Sequence, residues 1–267
     1  MPTTAVLIGA PWDRSSSFMA GAAEAPRHIR AALWSKSTNP WTESGLDLSY
    51  RAFLDDSGDL ALSDEPELAR SEIERAVSGL LDRNACPIVL GGDHSVSYPV
   101  VRAFKDLMLQ PTIVDLDAHS DLYDEFEGDR FSHACPFARI MEEGLAPRLV
   151  QIGIRTLTGH QRDQARKFGV ELYDMGRWAD APLETLTGPV YLSIDLDVLD
   201  PAFAPGVSHP EPGGLSTRDV LSLLHRLPAA IIGADVVEYN PANDVRDLTA
   251  RVAAKLVKEV VANVCRR

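Results

Sequence analysis

Eight short runs of apolar and β-branched residues, separated by stretches of helical periodicity, restrict this chain more than any other feature. Strands buried on both faces of a parallel sheet read as continuous apolar runs and do not alternate with polar residues. The runs fall at 5–10, 51–55, 87–91, 112–117, 149–154, 170–174, 190–195 and 231–237. Helical patterns occupy 26–34, 65–83, 96–107, 135–143, 159–168, 216–226 and 247–265, the last amphipathic over several turns. Pro26 suits a first helical turn, and Ser216 followed by Asp219 makes a capped start. This alternation predicts an α/β fold, a three-layer α/β/α sandwich with a mostly parallel, doubly wound sheet of about eight strands, because right-handed crossovers leave few other packings. The 267 residues, 45% of them hydrophobic and without low-complexity tracts or fixed repeats, fit one domain over 1–267.

In such sheets ligands bind beyond the carboxyl ends of the strands. Chemistry-bearing residues gather at those ends. His94 follows the third run, Asp117 to Asp121 close the fourth, Asp195 and Asp197 close the seventh, and Glu238 follows the eighth. Side chains at i, i+2 and i+4 of an extended segment project together, so Asp117, His119 and Asp121 share a face, as do Asp195 and Asp197. Four clustered carboxylates repel one another, and after Asp121 no Lys or Arg follows before Arg130. A multivalent cation is the simplest way to stabilise them, and a two-metal site is the first reading. Asp115 reads as an inward structural residue, and Asp200, before Pro201, as a turn residue.

Gly91-Gly92-Asp93-His94-Ser95 lies between a strand and a helix and lacks the spacing of a phosphate-binding loop, which leaves a tight turn as its reading. His133, in a polar loop beyond Asp121, is placed to carry protons if it faces the site. Glu238 ends an apolar strand, where a carboxylate needs a cation, whether held by the protein or brought by a substrate. Cys86, Cys135 and Cys265 form no CxxC pair and read as packing thiols; an acidic rim would not activate Cys135.

A formal charge of −13 argues against nucleic acid or anionic membrane as a partner and suits a small cationic substrate. The chain contains no apolar stretch of the roughly 20 residues that span a bilayer, and its first residues lack the basic region of a signal peptide, so a cytoplasmic location is expected.

Taken together, the motifs resemble the ureohydrolase family, binuclear manganese enzymes that include arginase, agmatinase and guanidinobutyrase. The resemblance rests on Gly91 to Ser95, Asp117 to Asp121, Ser193 to Pro201 and Asp235 to Pro241. Glu127 to Ala134 and Ala204 to His209 are most similar to the agmatinase-like branch, which also contains plant arginases. It implies two Mn²⁺ per subunit, one held by His94, Asp117, Asp121 and Asp195, the other by His119, Asp117, Asp195 and Asp197. It implies further that Glu238 receives a guanidinium group, that His133 shuttles protons, and that the chain forms a trimer or hexamer. A shared water made acidic by two metals would attack the guanidinium carbon, with Asp121 orienting it and moving its proton, to give urea and an amine.

The substrate expected is agmatine, with arginine or a guanidino acid such as guanidinobutyrate as the alternative. Thr156-Leu157-Thr158 stands where animal-type arginases carry an Asp for the substrate ammonium, and their Asn-containing carboxylate loop has no match after Asp121. Asp129 in Glu127-Gly128-Asp129 would place an anion at the mouth and disfavour a substrate carboxylate. A single-zinc amide deacetylase and a catalytically silent arginase-like binding protein are the rivals from other classes; the complete ligand set argues against both.

Overall fold

The computed structural model describes residues 4–106, 110–227 and 230–266. Within these residues eight strands form one sheet: β1 (Ala5–Gly9), β2 (Leu54–Asp59), β3 (Cys86–Leu90), β4 (Thr112–Leu116), β5 (Leu149–Ile154), β6 (Glu171–Asp174), β7 (Val190–Asp195) and β8 (Ile231–Val237). Their order is β2-β1-β3-β8-β7-β4-β5-β6, and every pairing is parallel. The helices are α1 (Ala25–Leu33), α2 (Pro66–Leu81), α3 (Ser97–Arg102), α4 (Pro136–Glu142), α5 (Gly159–Phe168), α6 (Thr217–Arg226) and α7 (Leu248–Val264).

The two faces of the sheet are covered separately. One core joins α1, α6 and α7 to side chains such as Leu7, Ile88, Leu116 and Leu192; the other joins α2, α3, α4 and α5 to Ile8, Val89, Ile113 and Tyr191. Successive residues of a strand therefore feed opposite cores, which is why the runs are apolar without alternation. This is the three-layer α/β/α sandwich expected.

Three elements depart from the expectations. The second strand begins at Leu54 and runs to Asp59 through polar residues, whereas 51–53 form a turn in which Phe53 N–H donates to Tyr50 O. As an edge strand pairing only with β1, it needs little apolar character on its outer side. Helix α3 stops at Arg102 and continues as turns through residue 106; the end expected at 107 lies outside the described residues. Helix α7 is buried nearly all round, including Lys258 and Glu259, because α1 and α6 both pack against it. Lys258 meets Thr38 Oγ1 and Asn39 O, and Glu259 accepts from Glu43 N–H and Lys255, so these buried charges are satisfied.

Candidate metal centre

Strands β3, β8, β7 and β4 are neighbours at the centre of the sheet. Their carboxyl ends bring together residues far apart in sequence: His94 N–H donates to Glu238 Oε1 at 2.8 Å across 144 positions. The glycines after β3 make this approach possible. A Cβ on Gly92 would collide with the carbonyl of Trp12, which accepts from Asp93 N–H, and Gly92 O itself accepts from Glu238 N–H. The turn reading holds for this segment. Asp93 then fastens the N-terminal loop, accepting from Ser15 N–H and Ser95 N–H.

Three of the carboxylates each use one oxygen on the backbone and leave the other turned inward. Asp117 Oδ1 accepts from His119 N–H, Asp195 Oδ1 from Asp197 N–H, and Asp197 Oδ1 from Ala118 N–H. The free oxygens converge on two ring nitrogens. Nδ1 of His94 has Asp121 Oδ2 at 3.0 Å, Asp195 Oδ2 at 3.2 Å and Asp117 Oδ2 at 3.3 Å. Nδ1 of His119 has Asp197 Oδ2 at 2.8 Å and Asp117 Oδ1 at 3.7 Å. Asp117 thus belongs to both sets, while Asp195 is placed with His94.

The far side of His94 fixes its tautomer. Nε2 lies 3.0 Å from Ser193 Oγ, whose own hydrogen goes to Asp235 Oδ1 at 2.6 Å. The hydroxyl therefore accepts from Nε2–H, and the Nδ1 lone pair faces the three carboxylates. Asp235 also accepts from Ser97 Oγ and Tyr191 OH, so the relay is anchored in the core. Asp115 sits beneath His94, held by Gln151 Nε2 at 2.9 Å, and matches its inward structural reading.

The donors fit a pair of hard divalent cations. Among the described residues His94 Nδ1 and Asp117 Oδ2 are fully buried without a hydrogen-bond partner, and the donors are carboxylate and imidazole without thiolate, the chemistry of manganese or magnesium sites. Without a cation, protons take its place. Burial, and then the charges of Asp197 and Asp117, hold Asp195 well above the usual carboxylate range; burial and Asp117 raise Asp121 as well. Burial opposes a charge on His94, yet the three carboxylates push its pKa well above the ordinary value.

Beside these donors, Glu238 stands at φ 63° and Asp121 at φ 45°, both in the left-handed region that costs non-glycine residues about 1 kcal/mol or more. The strain aims Glu238 into a cavity of about 210 Å³, a size for a small molecule and not for a chain. Glu238 Oε1 accepts from His94 N–H and from His133 Nδ1 at 2.9 Å; Oε2 is buried and has no partner among the described residues. Burial works against a charged His133, but Glu238 beside it raises its pKa to about 9. His133 Nε2 meets exposed Ser17 Oγ at 2.9 Å, which links the buried ring to solvent.

Of the residues expected at the site, His119, Asp121, His133, Asp195, Asp197 and Glu238 line the cavity, and His94 and Asp117 lie behind them. Asp129 does not line it: its carboxylate accepts from Phe131 N–H within its own loop, whose Phe126 and Asp129 backbones bond to each other. Its place in the sequence two residues past Glu127 marks a turn, and turn carboxylates often bond their own backbone. Cys135 is also outside, its thiol pushed up by burial to about 12. Asp200 accepts from Ala202, Gly213 and Gly214 N–H, a turn residue as read. Sequence reasoning overlooked Ser17, Tyr123, Phe126, Gln161 and His209 as lining residues. His209 was visible only as the end of the Ala204 to His209 motif; its ring lies 5.1 Å from that of His133 and 6.1 Å from that of His119.

The family model described as the arginase family matches residues 3–262. The chain belongs to the arginase family. Among curated relatives, "Arginase 1, mitochondrial" of Arabidopsis thaliana is 49% identical, over 97% of this chain and 80% of its own length. An agmatinase of Halalkalibacterium halodurans is 33% identical over 96% of this chain and 91% of its own. The solved arginase of Medicago truncatula superposes with a TM-score of 0.94 at 45% identity, covering 98% of this chain and 88% of that one. As an arginase-family protein the chain is a manganese-dependent ureohydrolase, a family built around a binuclear metal centre. The paired donor sets found here occupy the rim where such a centre would sit.

Proposed function

We propose that this protein is an arginase, hydrolysing arginine to ornithine and urea with two Mn²⁺ per subunit. The observation that carries the reaction class is the free Oε2 of Glu238 facing a cavity beside two inward donor sets. Arginine is favoured over agmatine on two grounds. The relatives at 45–49% identity are named arginases and the agmatinase stands at 33%, and the acidic residue that argued for agmatine, Asp129, lies off the cavity. The alternative set beside agmatine in the sequence reading is thus the better supported one.

His94 and Asp117 with Asp121 and Asp195 would hold one ion, and His119 with Asp117 and Asp197 the other. When bound, the pair supplies the Lewis acidity that makes water nucleophilic near neutral pH. Glu238 Oε2 accepts guanidinium N–H bonds while His94 N–H and His133 keep the carboxylate from turning. Asp121 holds the nucleophile's proton and returns it to the departing amine. His133, through Ser17, exchanges protons with solvent. The same reading includes a homo-oligomer, trimer or hexamer, and a cytoplasmic location. Urea release by the Mn²⁺-loaded protein is the test, comparing arginine, agmatine and guanidinobutyrate at equal concentration. A preference for agmatine returns the assignment to agmatinase, and no urea from any of them removes the ureohydrolase reading.

A further inference from the structure

Away from the metal donors and the Glu238–His133 pair, the walls of the cavity are neutral. Apart from Asp121, Asp195, Asp197 and Glu238, the lining carries no carboxylate. Among the described residues, Gln161 is a buried lining residue whose side-chain donor has no partner. Gln161, the third residue of α5, is 3% exposed, and its Oε1 accepts from Thr158 N–H at 3.0 Å and Thr158 Oγ1 at 3.1 Å. A backbone N–H can only donate, so the amide has one possible orientation: the oxygen faces Thr158 and the NH₂ group faces away. Among the described residues Nε2 meets no acceptor, while Gln161 lines the cavity. The capping box therefore does more than start a helix, since it holds the amide oxygen and leaves the amide donor free on a residue that lines the cavity.

Thr156 on the preceding loop complements it. Its Oγ1 donates to Ala118 O at 3.3 Å, which leaves the hydroxyl lone pairs to accept. The separation also suits a two-headed substrate. Gln161 follows β5 and Glu238 follows β8, three strand spacings apart in the order β8-β7-β4-β5, roughly 14 Å at ordinary spacing. An extended guanidino acid with a hydrogen bond at each end has about that reach.

We propose that Gln161 is a specificity-determining residue that donates from Nε2 to the carboxylate of a guanidino-acid substrate whose guanidinium sits on Glu238. This rests on the ureohydrolase reading and narrows its substrate class to molecules bearing a carboxylate, with Thr156 accepting from an α-ammonium where one is present.

The test uses Mn²⁺-loaded wild type, Gln161→Glu and Gln161→Ala. Glutamate keeps an oxygen for Thr158, and so keeps the helix start, but replaces the free donor with an anion. The ratio of kcat/KM for arginine to that for agmatine should fall about 10- to 100-fold in Gln161→Glu, the worth of one hydrogen bond to a charged group, mostly through KM. Binding measured by calorimetry gives a second readout: ornithine should weaken by a similar factor relative to putrescine, and Gln161→Ala should shift both ratios in the same direction. Unfolding temperatures check that each variant is folded. If arginine and agmatine, and ornithine and putrescine, weaken together in folded variants, Gln161 is only a helix cap and the proposal is overturned. If wild type releases urea from neither substrate, the underlying reading fails instead, and that outcome is visible without any variant.

Discussion

At the level of single residues, the site works by giving each side chain two tasks. Asp117, Asp195 and Asp197 each fix one oxygen on a backbone N–H and present the other inward, so no search of rotamers is needed when a cation arrives. Glu238 does the same with His94 N–H and His133 on Oε1 and nothing on Oε2. Glu238→Gln should therefore retain two Mn²⁺ per chain by elemental analysis and lose about 100-fold or more in kcat/KM, because its NH₂ group would face the guanidinium. Loss of metal along with activity would move Glu238 from the substrate to the metal centre. The metal-facing residues were legible because strand ends and i, i+2 spacing expose them in a linear reading. His209, Ser17 and Gln161 were not, since nothing local distinguishes a cavity-lining histidine, serine or glutamine from a surface one.

At the level of elements, capping and close approach decide where the loops sit. Helix α6 begins with a reciprocal box between Ser216 and Asp219, and α5 with one between Thr158 and Gln161. Ser216→Ala is expected to cost about 1 kcal/mol, a drop of about 2–4 °C in unfolding temperature, with metal content and urea release unchanged, since α6 contributes nothing to the cavity. An activity loss larger than the stability loss would show that α6 reaches the site. Seven helices and seven of the eight strands found among the described residues could be placed to within a few residues from periodicity, capping and β-branched runs. The exception, β2, failed for a reason proper to edges: one pairing partner and a solvated outer side remove the apolar signal on which strand recognition depends.

For the molecule as a whole, stability and metal occupancy are linked through pH. In the metal-free protein, burial and the Glu238 charge raise Asp93 to about 7, and His133 is raised to about 9 against burial by Glu238. A raised pKa in the folded state stabilises fully below the ordinary value and loses that contribution as pH climbs through the folded one, here between about 4 and 7 for Asp93 and about 6.5 and 9 for His133. The unfolding temperature of chelator-treated protein should thus fall from about pH 6 to about pH 9, whereas the gain on adding Mn²⁺ should grow over the same range as the ligands lose their protons. His133→Asn should flatten the upper part of the metal-free slope. A metal-free unfolding temperature that rises with pH would contradict the proton arrangement described here. Sequence by itself determined the parallel α/β layering and the rim on which the carboxylates and histidines collect, because periodicity and strand-end position are local properties of the chain. Only the tertiary structure decided that β3, β8, β7 and β4 lie side by side, that Asp129 turns back on its own loop and that Gln161, its amide oxygen held by Thr158, lines the cavity. Strand order and side-chain direction are set by packing between segments distant in sequence, and no local pattern encodes them.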